Sequence, residues 1–177
     1  MTAASVPARL LTLDDVTRLA DGDDIHRYEL VDGNLITVPP ANVRHQGISL
    51  DLAIWLHGRG YGRRVVLTPG VRTADDNLNG RIPDLVVTTE PVNGETVWLA
   101  PELVMLAIEI VSKGSERTDR WFKPLEYARA GIPWFWRVEP DDMVVQFRLV
   151  DDQYLEQDRV PLVNLLAGDV PDHSPTA

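Results

Sequence analysis

The sequence predicts an α/β (α+β) domain in which a central mixed β-sheet is flanked by helices. Three features support this prediction: a nine-residue apolar run at residues 103–111, several shorter runs separated by turn signals, and two substantial helical segments. The long run lies between Pro101 and Gly114 and contains one charge, Glu109, which is typical of a central strand buried on both faces. At 177 residues, the chain suffices for one domain with a sizeable core.

Capping residues and apolar spacing predict helices. Thr12 followed by Asp15 has the spacing of a capping box, and Asn42 is a favourable N-cap. Gly131 is a typical C-terminal stop, and Pro124 is tolerated only in a first turn. The predicted helices span residues 12–20, 42–57 and 119–130.

The remaining apolar runs predict strands. The clearest local signal is Asp32-Gly33-Asn34, a tight-turn sequence that joins two short strands in a hairpin. Residues 160–166 are expected to pack at a sheet edge, and residues 74–80 and 90–102 to be loops. The predicted strands span residues 28–31, 35–38, 64–72, 85–88, 103–111, 134–138, 143–150 and 154–155.

Glu109 conflicts with its surroundings. Burying an ionised carboxylate costs several kcal/mol unless it is paired or binds a metal. A core salt bridge to Lys or Arg is one solution; a metal ligand or general base is the other. Because Glu109 lies near the carboxyl end of its strand, where α/β sheets place their sites, we favour the functional interpretation.

Composition limits the classes of function. The chain has no Cys, which excludes disulfides and thiolate metal sites, and it has no apolar run long enough to span a bilayer. We expect a soluble cytoplasmic protein with a loose arm at residues 1–11, one domain at 12–167 and a polar tail at 168–177. The net charge of −10 argues against a general nucleic-acid binder. Residues 112–137, however, carry six Lys or Arg against three Asp or Glu, which suits an anionic substrate.

Three residues could act together. Asp84 begins a short buried strand, Glu109 lies in the central strand, and Lys123 begins the following helix. Adjacent strands could bring the two carboxylates within reach of one Mg²⁺ or Mn²⁺ ion, which prefer oxygen ligands. A metal-bound water beside a lysine is a suitable nucleophile for phosphodiester hydrolysis.

Four segments carry a resemblance to a known family: RYELVDGNLI, IPDLVV, AIEIVS and DRWFKPLEYARAGIPWFWRVEP. In this order they resemble the Uma2 family of restriction endonucleases, within the PD-(D/E)XK nuclease superfamily. The resemblance extends over residues 12–149 and implies a restriction-endonuclease-like fold.

The resemblance also implies roles. Asp84 corresponds to the Asp of the motif and Glu109 to its second acid. Many superfamily members have Lys two residues after that acid, where this chain has Val111; in this branch the lysine comes from the next helix, as Lys123 does. Glu29 matches an acidic position that completes such sites.

Other residues have weaker assignments. His45 fits a family position and could contact a phosphate, although a capping or exposed histidine is an equal alternative. Arg117 and Arg120 could contact phosphates, against ordinary surface solvation. Asp119 has the i,i+4 spacing to orient Lys123. Residues 134–136 are expected to pack in the core and at its rim.

The sequence therefore predicts a metal-dependent nuclease that acts on DNA, with Mg²⁺ or Mn²⁺ on Asp84 and Glu109. One alternative is a non-catalytic interaction module that keeps the fold, which the acidic charge favours. Another is hydrolysis of a different phosphate ester. A homodimer is compatible with the Trp-rich C-terminal half, which we expect to offer apolar surface.

Overall fold

A computed structural model describes residues 9–21, 23 and 26–168. Most of the predicted arm at 1–11 and of the predicted tail at 168–177 therefore lies outside the described residues. Residues 9–11 lie against the fold, because the Leu11 N–H donates to the Gly33 carbonyl at 3.0 Å. Within the described part of the chain, no helix is long and apolar enough to cross a membrane.

Two mixed sheets form the body of the protein. The smaller contains β1 (Arg27–Val31), β2 (Asn34–Val38), β4 (Gly70–Arg72), β5 (Gly80–Arg81) and β7 (Trp98–Leu99) in the order β2-β1-β5-β4-β7. The larger contains β3 (Val65–Leu67), β6 (Leu85–Thr88), β8 (Val104–Ile110), β9 (Trp134–Val138), β10 (Met143–Val150) and β11 (Gln153–Pro161) in the order β11-β10-β9-β8-β6-β3.

Strand β8 is the centre of the larger sheet. All seven of its residues are buried, as the apolar run predicts. It pairs antiparallel with β6 and parallel with β9, so the sheet is mixed. The predicted fold class is therefore confirmed.

Helices cover the sheets: α1 (Leu13–Ala20), α2 (Val43–Leu56), α3 (Lys123–Arg129) and α4 (Leu162–Ala167). The capping box predicted at Thr12 is present, since the Thr12 hydroxyl accepts from the Asp15 N–H and the Asp15 carboxylate accepts from the Thr12 N–H. Leu13 and Val16 of α1 then pack against Leu30 of β1.

The two faces of the larger sheet carry separate cores. Leu52 of α2 and Leu165 of α4 pack with Ile108 on one face. Tyr127 of α3 packs with Ala107 on the other. Successive residues of a strand point to opposite faces, so β8 separates α2 from α3 and contributes to both cores.

The prediction of one strand over residues 64–72 is wrong. Val65–Leu67 belongs to the larger sheet and Gly70–Arg72 to the smaller. Between them Thr68 has φ 49°, and its N–H donates to the Asp84 carbonyl at 3.0 Å. This left-handed residue turns the chain from one sheet to the other.

Other boundaries also differ from the predictions. The last strand includes residues 154–155 as expected but extends over Gln153–Pro161, and α4 follows it where an edge segment was expected. Most of this strand was not predicted, because β11 is the exposed edge of its sheet and its charged residues interrupt the apolar pattern. The short strands β5 and β7 lie in or at predicted loops. The third helix begins with a π-helical turn at Thr118–Phe122, and Pro124 lies in the first turn of α3 as expected.

We expect Gly70→Ala to destabilise the protein by about 1–3 kcal/mol, the usual cost of overpacking. A Cβ at Gly70 would lie 2.6 Å from the Val97 carbonyl oxygen and 2.6 Å from the Trp98 ring. Gly94→Ala is the control, because nothing lies within 4 Å of its added Cβ. Urea unfolding measures both; equal stabilities would contradict this packing.

Candidate active site

A cavity of about 250 Å³ opens at one end of β6 and β8, beside the N-terminus of α2. Asp84, Glu109 and Lys123 line it together. Loop residues 39–42 and 112–115 complete its walls. The structure therefore brings the three residues of the predicted constellation to one solvent-accessible space.

The sheet register explains why the two acids meet. Leu85 pairs with Ile108 in the antiparallel β6–β8 ladder, so one further step places Asp84 opposite Glu109. Asp84 is held at both oxygens: Oδ2 accepts from the Ile110 N–H at 2.8 Å, and Oδ1 lies 2.8 Å from His45 Nε2. The N-terminal turn of α2 thus delivers His45 to the site.

Glu109 is 1% exposed, and both of its oxygens have partners. Oε2 lies 2.8 Å from Lys123 Nζ, and Oε1 accepts from the Tyr127 hydroxyl at 2.6 Å. Burial raises the pKa of Glu109 well above its ordinary value of 4.5, and the nearby Asp119 and Asp84 add to this against the opposing effect of Lys123. A further positive charge beside Glu109 would lower this pKa and favour the ionised carboxylate.

The ammonium group of Lys123 lies close to three carboxylates. Its Nζ lies 2.8 Å from Glu109, 3.3 Å from Asp119 and 3.5 Å from Glu29. Burial by itself would lower the pKa of Lys123, but Glu109, Glu29, Asp119 and Asp84 outweigh it and raise that pKa. Lys123 is therefore an ammonium ion at neutral pH.

Glu29 supports the lysine from the smaller sheet. Its Oε2 lies 2.8 Å from Arg81 Nη1, and its Oε1 accepts from the Ile82 N–H at 3.1 Å. Burial opposes ionisation of Glu29, yet Lys123 and Arg81 together lower its pKa. Arg81 also forms a two-point contact with Glu126 on α3. Glu29 therefore carries a negative charge beside Lys123.

Comparison with known proteins identifies the family. Residues 13–173 match the family described as "Uma2: Putative restriction endonuclease". The chain belongs to the Uma2 family. The fold is similar to a crystal structure from Anabaena variabilis described as a "putative nuclease belonging to DUF820", with a TM-score of 0.63 over 85% of this chain and 83% of that one, at 19% identity. No curated protein matches the chain.

Two residues that contact the acids of this site were not predicted from the sequence: Tyr127, which bonds to Glu109, and Arg81, which bonds to Glu29. Tyr127 follows Lys123 by four residues on α3, a helical spacing that could have indicated their common face. Arg81 gave no such signal, because its contact with Glu29 spans 52 residues and depends on the pairing of β1 with β5.

The structure does not bring Arg117 and Arg120 into the cavity lining. Arg120 Nη2 lies 2.6 Å from Glu139 Oε2, and the Arg117 guanidinium lies 5.2 Å from the centre of the Phe122 ring. The basic residues that line the cavity are Arg27, Lys113 and Lys123. The phosphate contacts expected of Arg117 and Arg120 therefore stay predictions, and they would lie outside the cavity lining.

The donor set suits a hard divalent cation. No group of three or more His, Cys, Asp or Glu side chains in the described ranges is arranged to hold a metal ion. Mg²⁺ needs fewer protein ligands, since it binds through one or two carboxylates and keeps several waters. Asp84 and Glu109 supply two carboxylates to one cavity from adjacent strands. These residues therefore fit Mg²⁺ or Mn²⁺.

In the absence of divalent metal, we expect Glu109→Gln to gain stability over wild type as pH rises. The pKa of Glu109 is higher in the folded protein than in the unfolded chain, so folding favours the neutral carboxyl group. The resulting stabilisation is complete below the unfolded-state pKa and is lost as pH rises through the folded-state pKa. The amide stays neutral and can bond to both Tyr127 and Lys123. The difference in unfolding free energy should grow by up to about 1.4 kcal/mol per pH unit as pH rises above the unfolded-state pKa of Glu109.

Glu29→Gln is the matched control. The pKa of Glu29 is lowered, so its contribution is present above the unfolded-state pKa and is lost only on acidification. Urea unfolding in EDTA at several pH values above the unfolded-state pKa should therefore show a constant deficit for Glu29→Gln. A constant difference for Glu109→Gln as well would contradict the raised pKa.

Proposed function

We propose that this Uma2 protein is a metal-dependent endonuclease that hydrolyses phosphodiester bonds in DNA. The observation that carries the proposal is that Asp84 and Glu109 line one cavity from adjacent strands, with the Lys123 ammonium 2.8 Å from Glu109. Membership of a family described as restriction endonucleases supports phosphodiester hydrolysis. The choice of DNA comes from the same family description.

In this proposal Asp84 and Glu109 would hold the metal. When bound, Mg²⁺ or Mn²⁺ would supply charge that activates a water and offsets negative charge on the phosphate. His45 and the Ile110 N–H fix the two Asp84 oxygens, and Tyr127 fixes one oxygen of Glu109. Such supporting hydrogen bonds orient metal ligands and raise affinity.

Lys123 acts as a charged hydrogen-bond donor. Since its pKa is raised, it donates to the attacking water and to a phosphate oxygen and does not accept a proton. The water oxygen bonds to phosphorus as the water gives up a proton to solvent, the ester P–O bond breaks, and the departing oxygen takes a proton from solvent and leaves as a hydroxyl group. Glu29 and Asp119 keep the ammonium charged and in place.

Basic side chains at the cavity would receive the phosphates that flank the scissile bond. Arg27 and Lys113 line the cavity beside Lys123, although the whole chain has a net charge of −10. The protein should therefore bind DNA weakly and only at this cavity, and the affinity should fall steeply as the salt concentration rises.

We expect purified protein to nick plasmid DNA only when Mg²⁺ or Mn²⁺ is present. Asp84→Asn and Lys123→Met should each lower the rate by about 10²–10³-fold or more, as loss of charge stabilisation does elsewhere. Glu102→Gln, an exposed acid just before β8, should cleave like wild type. Equal nicking by all four proteins would indicate a contaminating nuclease and overturn the assignment.

Metal binding can be measured without catalysis. Mn²⁺ should raise the melting temperature of wild type, because a ligand at 100 times its Kd stabilises by about 2.7 kcal/mol. Asp84→Asn should show no shift, whereas Glu102→Gln should shift as wild type does. The net charge of −10 favours an alternative, a non-catalytic interaction module. Absence of a shift in wild type would support that module over the nuclease.

A further inference from the structure

Helix α2 is apolar on two opposite sides. Its inner side buries residues in the core of the larger sheet: Ile48, Leu52, Trp55 and Leu56. Its outer side exposes Val43 by 87%, Leu50 by 55% and Ile54 by 62%. A helix that packs on one side of a domain normally has polar residues on its opposite side, so the apolar outer side of α2 has the character of an interface.

The outer residues form a regular stripe. Val43, Gly47, Leu50 and Ile54 are spaced by four, three and four residues, the spacing of a helix-pairing seam. Beside Ile54 a second cavity of about 530 Å³ opens between α2 and the edge strand β3. A scattered set of exposed apolar residues would need no explanation, but an aligned stripe next to an apolar cavity does.

We propose that this stripe, residues 43, 47, 50 and 54 of α2, pairs antiparallel with the same stripe of a second copy of the chain. Val43 and Ile54 are equidistant from the stripe's centre, as are Gly47 and Leu50. A two-fold axis at that centre therefore places Leu50 of each copy against Gly47 of the other, and Val43 against Ile54. Such a self-complementary surface is the requirement of a two-fold dimer.

Shape supports the pairing of Leu50 with Gly47. Nothing lies within 4 Å of a Cβ added to Gly47, so the helix surface has room there for a side chain from outside. At the other contact, Val43 of one copy would enter the apolar cavity beside Ile54 of the second. Large and small groups thus alternate along the seam, as packed helices require.

Charge also favours the antiparallel arrangement. Arg44 and Asp51 lie on the same flank of the stripe and are both exposed. Antiparallel pairing keeps the same flanks of the two helices together and brings Arg44 of each copy toward Asp51 of the other. Arg44 already contacts Asp142, and its guanidinium has donors enough for two carboxylates.

Part of the apolar surface expected of the C-terminal half is present. Trp134 and Trp136 are buried, as expected, but Trp121 is 71% exposed and Phe122 43% exposed. Trp121, Phe122 and the neighbouring Leu125 are therefore the alternative contact surface, which the Leu125→Arg variant tests. A contact centred on one helix per copy is small, so the dimer should dissociate on dilution.

Cysteine cross-linking tests the proposed register. The chain has no Cys, so every disulfide would be an introduced one. Residues 43 and 54 of one helix are about 16 Å apart along its axis, too far for a disulfide within the chain. We therefore expect Val43→Cys/Ile54→Cys to form a covalent dimer under mild oxidation at high protein concentration.

The single-cysteine variants distinguish antiparallel from parallel pairing of the helices. Val43→Cys or Ile54→Cys alone should not cross-link. In the antiparallel register, residue 43 of one copy lies opposite residue 54 of the second copy, so a single cysteine has no cysteine opposite it. Efficient cross-linking of either single variant would indicate parallel pairing and overturn the register. No cross-link in the double variant would overturn the dimer.

Sedimentation at several concentrations tests the dimer without oxidation. Wild type should pass from monomer to dimer as concentration rises, and Leu50→Arg should remain monomeric. Leu125→Arg is the control: Leu125 lies on α3 and is 48% exposed, so this variant should dimerise as wild type does. A wild type that stays monomeric would overturn the proposal. A Leu125→Arg variant that loses the dimer would show that another surface pairs the copies.

Discussion

The buried ammonium group of Lys123 is the contact on which the rest of the structure depends. It reaches Glu109 on the larger sheet and Glu29 on the smaller sheet, while its own backbone begins α3. Without that cation, buried carboxylates would face one another in a medium that screens them poorly. One positive charge therefore fixes the relative positions of two sheets and a helix at the candidate site.

The backbone around Lys123 is shaped to deliver that group. A π-helical turn, Thr118–Phe122, precedes α3, and the Lys123 N–H bonds to the Thr118 carbonyl. Pro124, which has no N–H, follows inside the first turn of α3, where helices tolerate proline. Asp119 and Lys123 thereby meet at 3.3 Å. Wide turns of this kind are frequent at functional sites because they redirect side chains.

Much of this arrangement could be predicted from the sequence. Glu109 was evident because a lone acid in an apolar strand needs a partner. It pairs with Lys123, as one interpretation expected, and it lines a cavity, while its role as a metal ligand stays a prediction. Arg81 could not be predicted, because its role depends on how β1 meets β5. The turn at Thr68 was hidden for another reason: nothing in its side chain requires a left-handed backbone.

Lys123 reaches Glu109 from a helix, so no basic residue is needed at the end of the central strand. Val111, two residues after Glu109, is 1% exposed and belongs to the apolar interior. In the proposed site the ammonium group therefore arrives from α3, and the apolar packing at the end of the strand is kept. What selection must preserve at such a site is the location of one nitrogen atom in space, and the chain position from which it comes is open to change.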